Sequence, residues 1–177
     1  MIKKIKPEKV NDFLISFMEN PKLWMKKQIN EEFEFEEEIQ MKIIETNPKN
    51  IQFIENPSRE VCLAAVKNDG YSIKYIKNPS QEVCLAAVNQ RGYLIECIAN
   101  PSEEVCLAAV NQHGYSIKYI KNPSQEVCLA AVKQHGWAIQ FIKNPSDVVC
   151  LAAVKQDWYA LRYIKSPSEK VCLAAVC

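Results

Sequence analysis

The chain has 177 residues, and its 22 lysine and arginine residues nearly balance its 21 aspartate and glutamate residues. This balance gives no support to a strongly basic nucleic-acid-binding protein or to a membrane-surface protein. No apolar run approaches the roughly 20 residues that a helix needs to span a bilayer. Pro7, Asn11 and Asp12 interrupt any signal-peptide core near the start. These absences favour a cytoplasmic protein and predict no membrane partner.

Residues 1–33 are predicted to form N-terminal capping helices. After Pro7, apolar side chains recur at the spacing of one helix face, at Val10, Phe13, Leu14, Phe17 and Met18. A second helix is predicted to begin at Asn20-Pro21. Such helices would cover the first repeat of a stack, which otherwise exposes its core.

Residues 34–55 are predicted to be a diverged repeat, because isoleucines at 39, 43 and 44 precede the apolar positions 61, 65 and 66 by 22 residues. An acidic patch accompanies its start: Glu31, Glu32, Glu34, Glu36, Glu37 and Glu38. One interpretation is a solvated first helical turn, where negative charge suits the helix dipole. The other is a surface that meets a basic partner.

Residues 56–177 repeat one motif every 22 residues. Its clearest copy, NPSQEVCLAAV, begins at Asn122; related copies begin at Asn56, Asn78, Asn100, Asn144 and, with serine in place of asparagine, at Ser166. A fixed short period is typical of a solenoid, in which each unit buries its apolar face on the next. This region is predicted to hold five full repeats and a terminal half repeat.

Each repeat is predicted to contain one α-helix followed by a short α- or 3₁₀-helix. The asparagine is predicted to be the N-cap, with proline at the first helical position and residues such as Gln81 or Glu103 completing a capping box. Glycines are expected to end the α-helix in the left-handed conformation, at Gly70, Gly92, Gly114 and Gly136. The short helices are predicted over residues 71–76, 93–98, 115–120, 137–142 and 159–164.

The repeated text, Asn-Pro-Ser-x-Glu-Val-x-Leu-Ala-Ala-Val followed by Gly-Tyr-x-Ile-x-Tyr-Ile, resembles a tandem α-helical repeat family of unknown function. Its members occur in bacterial, phage and protist proteins, and the resemblance covers residues 56–177. The layout also resembles leucine-rich-repeat variants and HEAT-like arrays. The resemblance implies an all-α, right-handed α-solenoid and carries no catalytic residues.

Six of the eight cysteines occupy one repeat position: Cys62, Cys84, Cys106, Cys128, Cys150 and Cys172. Equivalent positions on stacked helices lie about 8–10 Å apart, whereas a disulfide requires Cα atoms within about 7 Å. These cysteines are therefore predicted to be reduced and to pack as small apolar side chains. Cys97, which replaces an aromatic residue, is also predicted to pack, and Cys177 is expected to be exposed.

No motif in the chain indicates an enzyme or a cofactor site. The only histidines, His113 and His135, occupy one position of adjacent repeats and could face each other. A zinc site needs three or four converging ligands, so no metal is predicted there. No glycine-rich phosphate loop or nucleophile elbow occurs.

The positions that differ between similar repeats are the candidate binding residues. A ridge is predicted at the turn after each α-helix, formed by Asp69, Arg91, His113, His135 and Asp157. A charged stripe is predicted just before the Asn-Pro pairs, formed by Lys77, Lys121, Lys143 and Lys165 and interrupted by Glu55 and Ala99. One interpretation is that these lysines bind successive phosphates of a nucleic acid. The other is that their positive charges stabilise the C-terminal ends of the short helices. The aromatic column Tyr71, Tyr93, Tyr115 and Trp137 is predicted to belong to the core.

The sequence therefore predicts a non-enzymatic α-solenoid that binds a macromolecule, in the first place a protein. A sharper hypothesis follows from the resemblance to phage repeats. In it the protein inhibits a host nuclease or immune complex, and the glutamates of residues 31–38 imitate nucleic-acid phosphates. The alternatives are nucleic-acid binding through the lysine stripe and a purely structural spacer that assembles end to end.

Overall fold

The structure is a computed structural model that describes residues 15, 16, 19, 20 and 37–176. From residue 37 onward, α-helices alternate with 3₁₀ helices, here labelled η, and the described residues contain no strand. The elements are α1 (Glu37–Thr46), η1 (Pro48–Phe53), α2 (Arg59–Asn68), η2 (Gly70–Tyr75), α3 (Gln81–Gln90), η3 (Gly92–Cys97), α4 (Glu103–Gln112), η4 (Gly114–Tyr119), α5 (Gln125–Gln134), η5 (Gly136–Phe141), α6 (Asp147–Gln156), η6 (Trp158–Tyr163) and α7 (Glu169–Val176).

Residue contacts divide the chain into two compact units, Met1–Val83 and Cys84–Cys177. In the first unit, α1, η1, α2 and η2 pack in chain order. In the second unit, each of α4, α5 and α6 contacts the 3₁₀ helices before and after it and the next α-helix. This sequential packing confirms the predicted all-α solenoid of helix-plus-3₁₀ repeats. The predicted capping helices lie outside the described residues, apart from Ile15, Ser16 and Glu19, which are helical.

The α-helices begin after the serine of the Asn-Pro-Ser motif, two residues later than predicted. Ser58, Ser102 and Ser124 are the N-caps, and each Oγ accepts a hydrogen bond from the valine N–H three residues on. Their ψ angles of 162° to 165° keep the serines extended. The predicted asparagine cap and capping box are therefore wrong for these helices. Asn122 and Asn144 instead turn the chain with a φ of 51°, a left-handed conformation that asparagine tolerates.

The glycines begin the 3₁₀ helices, and none has a positive φ. The predicted left-handed caps are therefore wrong, and each α-helix ends at the extended residue before the glycine, such as His135 with φ −146°. Glycine is needed for a different reason. A Cβ on Gly114 or Gly136 would lie 2.7 Å from the carbonyl oxygen of an alanine in the following α-helix, which leaves room for no side chain.

The core of each repeat combines the apolar run of the α-helix with an isoleucine of the 3₁₀ helix. In α5 the buried residues are Val127, Cys128, Ala131 and Val132. Leu129 and Ala130 are half-buried, so the neighbouring elements do not enclose the helix on all sides. The cysteine prediction is confirmed for the described residues: the thiols are free, five are buried, and Cys97 and Cys172 are half-buried. Cys177 lies outside the described residues.

Burial raises the pKa of the thiols at the buried cysteine position, Cys128 among them.

No helix among the described residues has both the length and the apolar character needed to cross a membrane.

Candidate interaction surfaces

The predicted ridge lies where each α-helix meets its 3₁₀ helix. Asp69 and Asp157 have a structural role there, because their Oδ1 atoms accept the backbone N–H of Tyr71 and Tyr159 at 3.0 and 2.9 Å. Arg91 is exposed, whereas the other four ridge residues are half-buried. The column is therefore in part a set of caps for the 3₁₀ helices.

The two histidines of the ridge face each other, as the repeat spacing allows. The ring centroids of His113 and His135 lie 5.5 Å apart, and the ring of Tyr115 lies 5.0 Å from that of His135. The Nδ1 atom of His135 is buried without a hydrogen-bond partner. Within the described ranges, no three histidine, cysteine or acidic side chains come together in a way that could hold a metal ion.

A contiguous group of four rings, three exposed and one half-buried, lies in the 3₁₀ helices of the last repeats. We call Trp137, Trp158, Tyr159 and Tyr163 the aromatic patch. The ring centroid of Trp137 lies 5.7 Å from that of Tyr159 and 6.2 Å from that of Tyr163, and Trp158 lies 5.2 Å from Tyr159. Trp158 is 64% exposed, Tyr159 41% and Trp137 36%. The prediction that Trp137 belongs to the core is therefore wrong, whereas Tyr71, Tyr93 and Tyr115 are half-buried.

An arginine contacts two of the four rings of the aromatic patch. The guanidinium of Arg162 lies 5.0 Å from the ring centroid of Tyr159 and 5.4 Å from that of Tyr163, and it donates a hydrogen bond to the Tyr159 hydroxyl at 3.1 Å. This patch was not predicted from the sequence. The available signal was Trp158 itself, because it stands where the other full repeats have glycine.

The lysine stripe borders grooves between successive repeats. In the second unit, a groove of about 640 Å³ is lined by Lys118, Lys121 and Lys143, and by no aspartate or glutamate. We call it the lysine groove. In the first unit, Lys77 lines a groove of about 810 Å³ together with Arg59 and Glu55. Lys165 is exposed and lines neither groove.

Two of the six predicted acidic-patch residues lie within the described part of the chain. Glu37 and Glu38 form the first turn of α1 and are exposed. The Lys42 ammonium lies 2.8 Å from the Glu38 carboxylate, and this hydrogen bond and charge lower the pKa of Glu38. Glu31, Glu32, Glu34 and Glu36 lie outside the described residues.

Residues 36–79 and 102–145 match a family model described as "Domain of unknown function (DUF4116)". Each matched segment covers two α-helices and two 3₁₀ helices, so one copy of that domain corresponds to two successive repeats. No curated protein and no solved structure matches the chain. The two segments therefore match a family of unknown function as two copies in one chain.

Proposed function

We propose that the chain is a non-enzymatic repeat protein of the cytoplasm that binds another protein through the aromatic patch. The carrying observation is the cluster of exposed rings around Arg162, since tryptophan, tyrosine and arginine contribute most of the binding energy at protein interfaces. The half-buried ridge residues His135, two residues before Trp137, and Asp157, immediately before Trp158, would form the rim. Free thiols suit a reducing compartment.

The exposure of Trp158 supports a role outside folding. A tryptophan that served the core would bury its ring, whereas 64% of this residue is accessible. Its ring nevertheless has a fixed neighbour, because it stands edge-on to Tyr159 with an interplanar angle of 88°. A ring that is exposed and held in place loses little conformational entropy on binding.

The test is capture of a partner from the lysate of the native host by the immobilised chain, with and without nuclease. We expect a nuclease-resistant protein whose binding Trp158→Ala weakens by about 2 kcal/mol, or about 30-fold. The control is Tyr75→Ala, which removes another exposed ring, 41% against 64% for Trp158, from the first unit. A partner that binds the Trp158 and Tyr75 variants equally well would refute the patch as its site.

A finer form of the proposal is inhibition of a host nuclease or immune complex by the acidic patch. Its support is that Glu37 and Glu38 are exposed in the first turn of α1; a basic partner would meet the Glu37 carboxylate directly and would compete with Lys42 for that of Glu38. Reversing the charges with Glu36→Lys, Glu37→Lys and Glu38→Lys should abolish inhibition of the captured target. Unchanged inhibition by this variant would exclude phosphate mimicry.

Nucleic-acid binding is the second candidate, favoured by the exposure of all four stripe lysines, Lys77, Lys121, Lys143 and Lys165. Replacing Lys121, Lys143 and Lys165 by alanine should then weaken binding and flatten its dependence on salt. Binding that is independent of salt would argue against this function.

A chain that captures no partner and only associates with itself would instead be a structural spacer.

A further inference from the structure

We propose that the lysine groove binds an extended acidic peptide that carries an apolar anchor residue. This site is separate from the aromatic patch, which shares no residue with the groove lining. The inference does not depend on the function proposed above.

The groove has an apolar floor and apolar walls. It runs between the Asn-Pro-Ser turns that precede α5 and α6, and Cys128 and Val149 lie at its base. Pro123 and Pro145 line its sides, together with Phe141, which is 40% exposed. Its volume of about 640 Å³ falls within the roughly 300–1,000 Å³ of ligand clefts. An apolar side chain of a ligand can therefore be desolvated against Phe141.

The charge of the groove is positive and no carboxylate lines it, although the Lys118 ammonium lies 4.5 Å from the ring centroid of Tyr119. Lys118, Lys121 and Lys143 are exposed, and none of them forms an ion pair with another described residue. The carboxylates nearest in sequence, Glu126 and Asp147, do not line the groove. Like charges held together repel each other, and carboxylates of a ligand would relieve that repulsion.

The first unit contains a groove of the same construction with different charges. Its residues stand at the same repeat positions, 66 residues earlier: Gln52 corresponds to Lys118, Glu55 to Lys121 and Lys77 to Lys143. Its arginine, Arg59, already pairs with Glu82. The fold therefore supplies the groove wherever repeats stack, and the side chains at these positions decide which ligand it attracts.

The groove fits an acidic peptide better than a nucleic acid. A nucleic acid gains affinity by neutralising phosphates along its length, but Glu55 and Ala99 interrupt the lysine column. An extended peptide needs only one groove. The exposed amide side chains of Asn122 and Asn144 line it and can hydrogen-bond a peptide backbone.

The test uses fluorescence anisotropy with a labelled peptide of glutamates and phenylalanines. The comparison probes are its glutamine counterpart and a single-stranded DNA of equal charge. We expect the acidic peptide to bind more tightly than both, with an affinity that falls as salt rises. The variant Lys118→Gln/Lys121→Glu gives the second-unit groove the side chains of the first unit at these positions. This variant should bind the acidic peptide about tenfold more weakly. Lys118→Gln removes one exposed ion pair with the peptide, worth up to about fivefold in affinity, and Lys121→Glu replaces a second ion pair by a repulsion.

Two control variants isolate the site. Lys133→Gln/Lys155→Glu makes the same change of charge at exposed lysines in the last turns of α5 and α6, outside the groove lining, and Trp158→Ala alters the aromatic patch; both should bind the peptide within about twofold of the parent chain. Unfolding midpoints of all variants are expected to agree, since the replaced side chains are exposed. Tighter binding of the DNA, or equal binding of the acidic peptide by Lys118→Gln/Lys121→Glu and the parent, would overturn the proposal.

Discussion

Replacing Gly136 by alanine tests the reason that the structure gives for the glycine column. The added Cβ would lie 2.7 Å from the carbonyl oxygen of Ala153 and 2.7 Å from Oε1 of Gln156. Backbone cannot move aside as a flexible side chain can, so α6 would have to shift by several tenths of an ångström. Overpacking of this kind costs about 1–3 kcal/mol.

Two further effects contribute to the change in the free energy of unfolding of Gly136→Ala. The backbone N–H of Gly136 donates a hydrogen bond to Gln156 Oε1 at 2.6 Å, and its loss costs about 1 kcal/mol. Alanine restores about 0.5–1 kcal/mol by restricting the unfolded chain. We therefore expect a net destabilisation of about 1–3 kcal/mol, measured by urea unfolding with an unchanged m-value.

Asparagine at position 136 separates this explanation from a left-handed cap. Asparagine tolerates the left-handed conformation, so at such a cap Gly136→Asn would cost less than Gly136→Ala. If glycine is required because there is no room for a Cβ, the larger asparagine side chain should lower the free energy of unfolding at least as much as alanine does. The double variant Gly136→Ala/Gln156→Ala should recover only the side-chain part of the clash, because the Ala153 carbonyl stays in place. Full recovery, or an Asn variant more stable than the Ala variant, would refute the reasoning.

Three other predictions use the same unfolding and assembly assays. Ser124→Ala should destabilise by about 1 kcal/mol through loss of the α5 cap, whereas Asn122→Gly at a φ of 51° should change stability by a few tenths of a kcal/mol. Because burial raises the pKa of the Cys128 thiol, the thiol loses its proton at lower pH in the unfolded chain than in the folded one. The free energy of unfolding should therefore fall as pH rises above the ordinary thiol pKa of 9.0. This fall should be less steep in Cys128→Ala than in the parent chain. Leu173 and Val176 are 57% and 81% exposed on α7, so Leu173→Ser should reduce any end-to-end association seen by light scattering; association unaffected by it would exclude this face.

The sequence predicted the repeat period, the alternation of α- and 3₁₀-helices and the packing of the cysteines, because each follows from the apolar pattern of one repeat. The helix start was missed because asparagine and serine are both good N-caps. The choice between them depends on backbone angles that the motif does not reveal. The role of Gly136 was missed because it depends on the distance to the next repeat. The aromatic patch was not predicted, because Trp158 departs from the glycine of the repeat pattern and the exposure of its ring depends on how neighbouring repeats pack.

The contact that requires glycine also determines how such an array can change its length. Gly92 and Gly114 each pack against the following α-helix, so each of these two junctions joins a glycine of one repeat to an alanine of the next. Deleting residues 103–124 would place Gly92 before Ala131, and the junction would keep the same pair of residues. Insertion or removal of 22 residues is therefore neutral for the junctions wherever the cut is made within a run of such repeats. Arrays of this kind can gain and lose whole repeats by recombination without passing through a misfolded intermediate length.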